Sequence, residues 1–217
     1  MIKGNAAVVA IGLSLISSTI QAQTQGLLTR DGVSSIQVFG AYDWQKSQRE
    51  IKCGLGLSQG GRFDATGWVA QRKHDQFGLS SSILGGAATV HVIRYDARNP
   101  RKTPDVALTA QFSATTNTSD WLFGGSLGIP IHVVSRFEVA PWLLFGYSLS
   151  NRKTTTGSRS SSTRSDAYVF GTAVPILIRG ERGAIIVTPA LTLHPERLQY
   201  EIVVGYLLDL GRRRPSE

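Results

Sequence analysis

Only one cysteine, Cys53, occurs in 217 residues. No disulfide can form within the chain, so a small secreted domain stapled by disulfides is excluded. Long uncharged runs are also missing beyond residue 30. The longest, Val106 to Ser119 and Trp121 to Ser135, are separated by Asp120, and neither reaches the ~18 residues of a transmembrane helix. No segment past the N-terminus repeats its apolar residues at the helical period of about 3.6, which removes amphipathic helices. Metal-ligand spacings, phosphate loops and nucleotide fingerprints are absent too, so neither a metal nor a cofactor is expected. Acids are outnumbered: 15 Asp and Glu face 23 Lys and Arg, for a net charge of +8.

The N-terminus reads MIKGNAAVVAIGLSLISSTIQAQ: one Lys3, an uncharged apolar run, then small residues and glutamines. This is the layout of a secretory signal peptide over residues 1–22, with cleavage after Ala22. Its removal takes Lys3 and no acid, which lowers the net charge to +7. No cysteine follows the cleavage position, so lipidation there is not expected. Residues 23–32 read as a linker, and 211–217, GRRRPSE, as a polar tail.

What fills the space between is alternation. In Leu198 to Leu210 the even positions, Leu198, Tyr200, Ile202, Val204, Tyr206, Leu208 and Leu210, form an unbroken large apolar row. The odd positions include Gln199, Glu201, Gly205 and Asp209. A period of two predicts a β-strand with unlike faces. The same pattern recurs over Ile36–Trp44, Ile51–Ser58, Val106–Ala114, Trp121–Val133, Phe137–Leu149, Tyr168–Ile178 and Ala184–Leu193. Gly60-Gly61, Glu181-Arg182-Gly183 and His194-Pro195-Glu196-Arg197 supply turn chemistry between neighbours. The chain is all-β, a succession of hairpins.

Which face looks inward is decided by the second row. On a soluble sandwich the outer face would be rich in Lys, Glu and Arg. Here it is mostly Gly, Ala, Ser and Thr, with isolated charges such as Asp43, Lys52, Asp64, Glu138 and Glu201. Small residues with charges of both signs suit the inside of a narrow closed barrel. The aromatic residues Tyr42, Trp44, Trp121, Tyr147, Tyr168 and Tyr200 collect toward strand ends on the apolar row, in the manner of an interfacial girdle.

On these rows the chain resembles small bacterial outer-membrane β-barrel proteins over roughly residues 33–210. The ending, with Gly205, Leu208 and Leu210, is similar to the terminal-strand signal read in that group by the barrel-assembly machinery. The resemblance implies an antiparallel up-and-down transmembrane β-barrel, with the apolar row facing lipid. Separate counting of the segments gives eleven strands. Treating DQFGLSSSILGGAATVHVIRYD as one strand bulged at Gly85-Gly86 gives ten, within a range of eight to twelve, and leaves both termini periplasmic.

Catalytic groupings are weak. The four histidines are His74, His91, His132 and His194; HVVS brings His132 near Ser135 with a spacing that suits a turn. No catalytic residue is therefore assigned. The alternatives are a lipid-modifying barrel enzyme and a soluble periplasmic barrel holding an apolar ligand. Arg136, Glu138, Arg179, Glu201 and Asp209 lie on small-residue faces of the late strands, and the expectation is a mixed-sign network that plugs the lumen. Asn151 to Ser165 carries Arg152, Lys153, Arg159 and Arg164 without one acid. It reads as the longest extracellular loop, solvated and attractive to anionic groups such as lipopolysaccharide phosphates. Nucleic acid is not an expected partner, because aromatic residues are not interleaved with these cations. Outer-membrane lipid and the assembly machinery are.

Overall fold

The computed structural model describes residues 33–45, 48–74, 80–94, 104–134, 136–156, 159–195 and 197–212. The expected signal peptide, linker and most of the tail lie outside these residues. Thirteen strand segments follow one another: β1 (Val33–Gln45), β2 (Gln48–Gln59), β3 (Phe63–His74), β4 (Ser80–Ile93), β5 (Asp105–Ala114), β6 (Thr118–Gly128), β7 (Ile131–Val134), β8 (Phe137–Val139), β9 (Trp142–Thr156), β10 (Arg159–Ala173), β11 (Ile176–Arg179), β12 (Gly183–His194) and β13 (Arg197–Arg212). All pairings are antiparallel, and β1 pairs with β13, so the sheet closes on itself. The registers of β6/β7, β8/β9 and β10/β11 run straight through each break, so each of these three pairs is one strand interrupted. The result is a closed up-and-down barrel of ten strands.

The interruptions have a chemical cause. Pro130, Pro141 and Pro175 sit at the three breaks, and Pro189 lies in the neighbouring β12. A proline has no N–H to give to the ladder. At three successive strand interfaces the residue facing or preceding the proline still donates: Ile129 N to Pro141 O at 3.1 Å, Ala140 N to Pro175 O at 2.9 Å, and Val174 N to Pro189 O at 3.1 Å. The proline returns nothing, so each of these rungs is one bond where an ordinary pair has two. The four prolines thus form a seam of half-rungs across four adjacent strands.

The faces fall as the alternation requires. Along β13, Gln199, Glu201, Val203 and Leu207 are buried in the lumen, whereas Tyr200, Ile202, Val204, Tyr206, Leu208 and Leu210 are exposed outside. Ile51 and Leu84 are each 65 % exposed, while Lys52 beside Ile51 is 1 % exposed. Such a surface in water would be an apolar patch far beyond what monomeric soluble proteins show; in hydrocarbon it is the ordinary exterior of a transmembrane barrel.

Two expectations are corrected. There is no bulge at Gly85-Gly86: β4 keeps one phase against β3 from Lys73↔Ser80 to Phe63↔Val90. The apparent phase change comes from Ile83, an apolar side chain that points inward. The irregularity of β4 sits instead between His91 and Ile93, against β5. Gly85 is needed for another reason, since a Cβ there would lie 2.3 Å from the indole of Trp68, which fills the lumen. Second, Asn151 to Ser165 is not a loop. β9 runs to Thr156 and β10 starts at Arg159, with paired residues from Ala173↔Trp142 to Arg159↔Thr156. At Gly60 and Gly61, φ of 59° and 65° at successive residues makes the tight turn that carries β2 into β3.

Candidate functional site: two ionic layers in the lumen

The inward rows place charged groups toward both ends of the barrel, with apolar side chains between. Toward the end opposite the termini, cross-strand register sets Glu201, Asp43, Glu50 and Arg72 side by side on β13, β1, β2 and β3. Three neighbouring carboxylates would repel one another. Lys52, one inward step along β2, resolves this: its flanking partners Ala41 and Ala70 are small, which leaves room for the ammonium to bend over the row. Its Nζ lies 2.6 Å from Glu201 Oε1, 3.3 Å from Asp43 Oδ2 and 3.7 Å from Glu50 Oε1. Arg72 donates from both Nε, at 2.8 Å, and Nη2 to the single oxygen Glu50 Oε2. Gln199 Nε2 donates to Asp43 Oδ2 at 2.6 Å. All six side chains are buried.

Beneath this layer come Phe39, Trp68, Ile83 and Val203, packed with Ala41, Ala70 and Ala87, and on the other side Trp142, Leu144, Ala173 and Ala190. Toward the end that carries the termini, His91 bridges two carboxylates, with Nδ1 at 2.5 Å from Asp105 Oδ1 and Nε2 at 2.9 Å from Asp64 Oδ2. Arg94 Nη1 reaches Asp105 Oδ2 at 3.1 Å. Across the barrel, Arg179 Nε donates to Glu138 Oε1 at 2.7 Å.

The five residues proposed for the plug therefore do not form one network. Glu138 and Arg179 pair with each other, whereas Glu201 belongs to the opposite ionic layer with Lys52, Asp43 and Glu50. Arg136 is corrected outright: it is an exposed turn residue between β7 and β8. Its backbone still pairs with β11, Arg179 N donating to Arg136 O at 2.8 Å, but the tight turn into β8 leaves its side chain in solvent at the barrel's end. Asp209 lies half-buried near the end of β13, and among the described residues no ion pair joins it to the other four. Asp43, Lys52 and Asp64 stand on the inward row in the sequence; Glu50, Arg72, His91 and Asp105 complete the layers.

Of the four basic residues on the former loop, Lys153 and Arg164 are exposed on the β9–β10 hairpin and Arg152 is half-buried. Arg159 opens β10, its side chain outside the described set. Among the histidines, His91 engages a carboxylate with each ring nitrogen. The side chain of His132 lies outside the described residues.

No family model matches the chain, and no curated protein matches it. Solved structures with a similar fold include the KdgM porin, at 9 % identity over 81 % of this chain and 99 % of that one, with a TM-score of 0.41. Neisserial surface protein A is 10 % identical over 82 % of this chain and 97 % of its own, with a TM-score of 0.39. Outer membrane protein AlkL is 6 % identical over 87 % and 95 %, with a TM-score of 0.42. Similarity at this level leaves function to this chain's own residues.

Proposed function

We propose that the chain, a β-barrel of the bacterial outer membrane, has a structural or surface role without a catalytic centre, its lumen closed to bulk diffusion. The observation that carries this reading is the burial of the lumen side chains at every level. Lys52 is 1 % exposed, Trp68 3 % and Leu207 0 %, positions that a water-filled channel would keep wet. Ten strands give an interior narrow enough for side chains to fill. The closing groups are paired ions, which a low-dielectric interior tolerates better than single charges. The basic hairpin of β9 and β10 stands at the end opposite the termini, where it meets anionic groups of lipopolysaccharide. During biogenesis the barrel-assembly machinery reads β13.

Reconstitution in planar bilayers tests the closed lumen. The wild-type barrel is expected to show no steady ohmic conductance, and Lys52→Ser combined with Trp68→Ala to show one. A steady, porin-sized current from the wild type would overturn the reading. For the enzymatic alternative, lipid A from cells producing the barrel or its His91→Ala and His132→Ala forms is expected to give identical mass profiles.

A further inference from the structure

The exterior charges of the barrel are not a mixture of signs like those of the lumen. Among strand residues with described side chains, Arg49, Lys73, Lys153 and Arg164 point outward, against one acid, Asp166, to which Tyr147 already donates at 2.6 Å. Two of these cations are neighbours. Register sets Tyr200, Trp44, Arg49 and Lys73 in one row across β13, β1, β2 and β3. Adjacent strands stand about 4.8 Å apart, so the guanidinium and the ammonium can converge on one anion. The same row carries a platform of stacked rings, with Trp44 at 5.6 Å from Tyr200 and 5.8 Å from Tyr42.

Directly along β2 and β3 from this pair the outer wall is concave. A groove of about 660 Å³ runs past Ile51, Cys53, Val69 and Leu84. A second, of about 730 Å³, shares Cys53, Val69 and Leu84 and continues past Gly67. The concavity has a sequence cause: the outward positions Cys53, Ala65 and Gly67 are small where other strands carry Leu, Ile or Tyr. Arg49 stands four residues from Cys53, about 13 Å at strand rise, so a phosphate held by the cations leaves acyl chains lying along the groove.

We infer that this wall is a specific binding site for a phosphorylated acyl glycolipid, lipid A, with Arg49 and Lys73 holding a phosphate and the groove from Ile51 to Gly67 holding acyl chain. The inference rests on the outer-membrane reading above, which turns the end opposite the termini, and hence the cationic row, toward the lipopolysaccharide leaflet. That orientation favours lipid A over a glycerophospholipid of the inner leaflet.

Cys53, the only cysteine and exposed in the groove, is a built-in reporter. The full chain, folded in detergent, is labelled with a small maleimide in the presence of bisphosphorylated lipid A, dephosphorylated lipid A or phosphatidylglycerol. Bisphosphorylated lipid A is expected to slow labelling severalfold, the other two to leave it near the lipid-free rate, and Arg49→Gln/Lys73→Gln to abolish the protection. Gly67→Leu, whose Cβ meets nothing nearer than 4.0 Å, fills the groove without disturbing the wall. Lipid A should raise the thermal midpoint of the wild type and not of this variant. Equal protection by phosphatidylglycerol, protection retained in the double variant, or none in the wild type would overturn the assignment. Failure of the barrel reading itself shows separately, as absence of a heat-modifiable folded band before any lipid is added.

Discussion

At the scale of single residues, Lys52 carries the most consequence. It is the cation in reach of Asp43, Glu50 and Glu201, and its removal leaves carboxylates facing one another away from water. Breaking a buried ion pair from one side costs roughly 3–5 kcal/mol. Lys52→Met is therefore expected to lower the unfolding midpoint in detergent sharply. Glu201→Gln should lower it less, because Lys52 then still neutralises Asp43 and Glu50. A Lys52→Met midpoint equal to that of the wild type would mean that water reaches the layer. This cluster was only half legible in the sequence. The alternation of β13 assigns Glu201 to the small-residue row, and that of β2 does the same for Lys52. Their meeting depends on closure of the barrel through Asp43↔Glu201, across 149 residues of chain between Lys52 and Glu201. No local pattern encodes which two edges join, nor at what register.

At the scale of elements, β3 and β4 show what alternation conceals. The outward row of β3 includes Ala65, Gly67, Val69 and Gln71, too small and mixed to announce a lipid-facing strand, while its inward row carries the large Trp68 and Arg72. Trp68 is accommodated because β4 offers Gly85 opposite it. Gly85→Val should prevent or weaken folding, measured as loss of the heat-modifiable band, and Trp68→Ala in the same chain should restore part of it. A double variant no better than Gly85→Val would show that the obstruction lies in the backbone. The β9–β10 hairpin misleads in the opposite direction: a run of Ser, Thr, Arg and Lys has the composition of a loop, yet cross-strand pairing continues through it. β6 supports β9 only as far as Arg152, and β12 supports β10 only over Phe170–Ala173. Deleting residues 153–162 should accordingly leave the thermal midpoint of the barrel close to that of the wild type. Trypsin added to intact cells should cut at Lys153 or Arg164. Cutting only after permeabilisation would reverse the topology.

At the scale of the whole molecule, the all-β class and the inside-out distribution of polarity follow from the repeated period of two, whereas the uneven strength of the wall does not. The proline seam makes the barrel anisotropic. Between β1 and β13 the ladder is continuous over ten register pairs, Ser35↔Asp209 to Trp44↔Tyr200, but across the strands that carry Pro130, Pro141, Pro175 and Pro189 three successive rungs are halved. A hydrogen bond contributes about 0.5–1.5 kcal/mol net even where water competes for its groups. Hydrocarbon offers a freed carbonyl no substitute. The lumen behind the seam is lined by Ala140, Leu177, Ala184 and Ile186, and the Arg179–Glu138 pair joins two of its four strands from within. Thermal fluctuation should find its easiest direction here, and amides of Ile129, Ala140 and Val174 should exchange with deuterium faster than those of Val38 and Val204, at matched depth of burial in the ladder. Pro141→Val, which supplies the missing N–H, should slow exchange at Ile129. In mechanical terms the protein is a tube with a perforated line down one side, and force or heat should tear it there before the closing edge of β1 and β13 gives way.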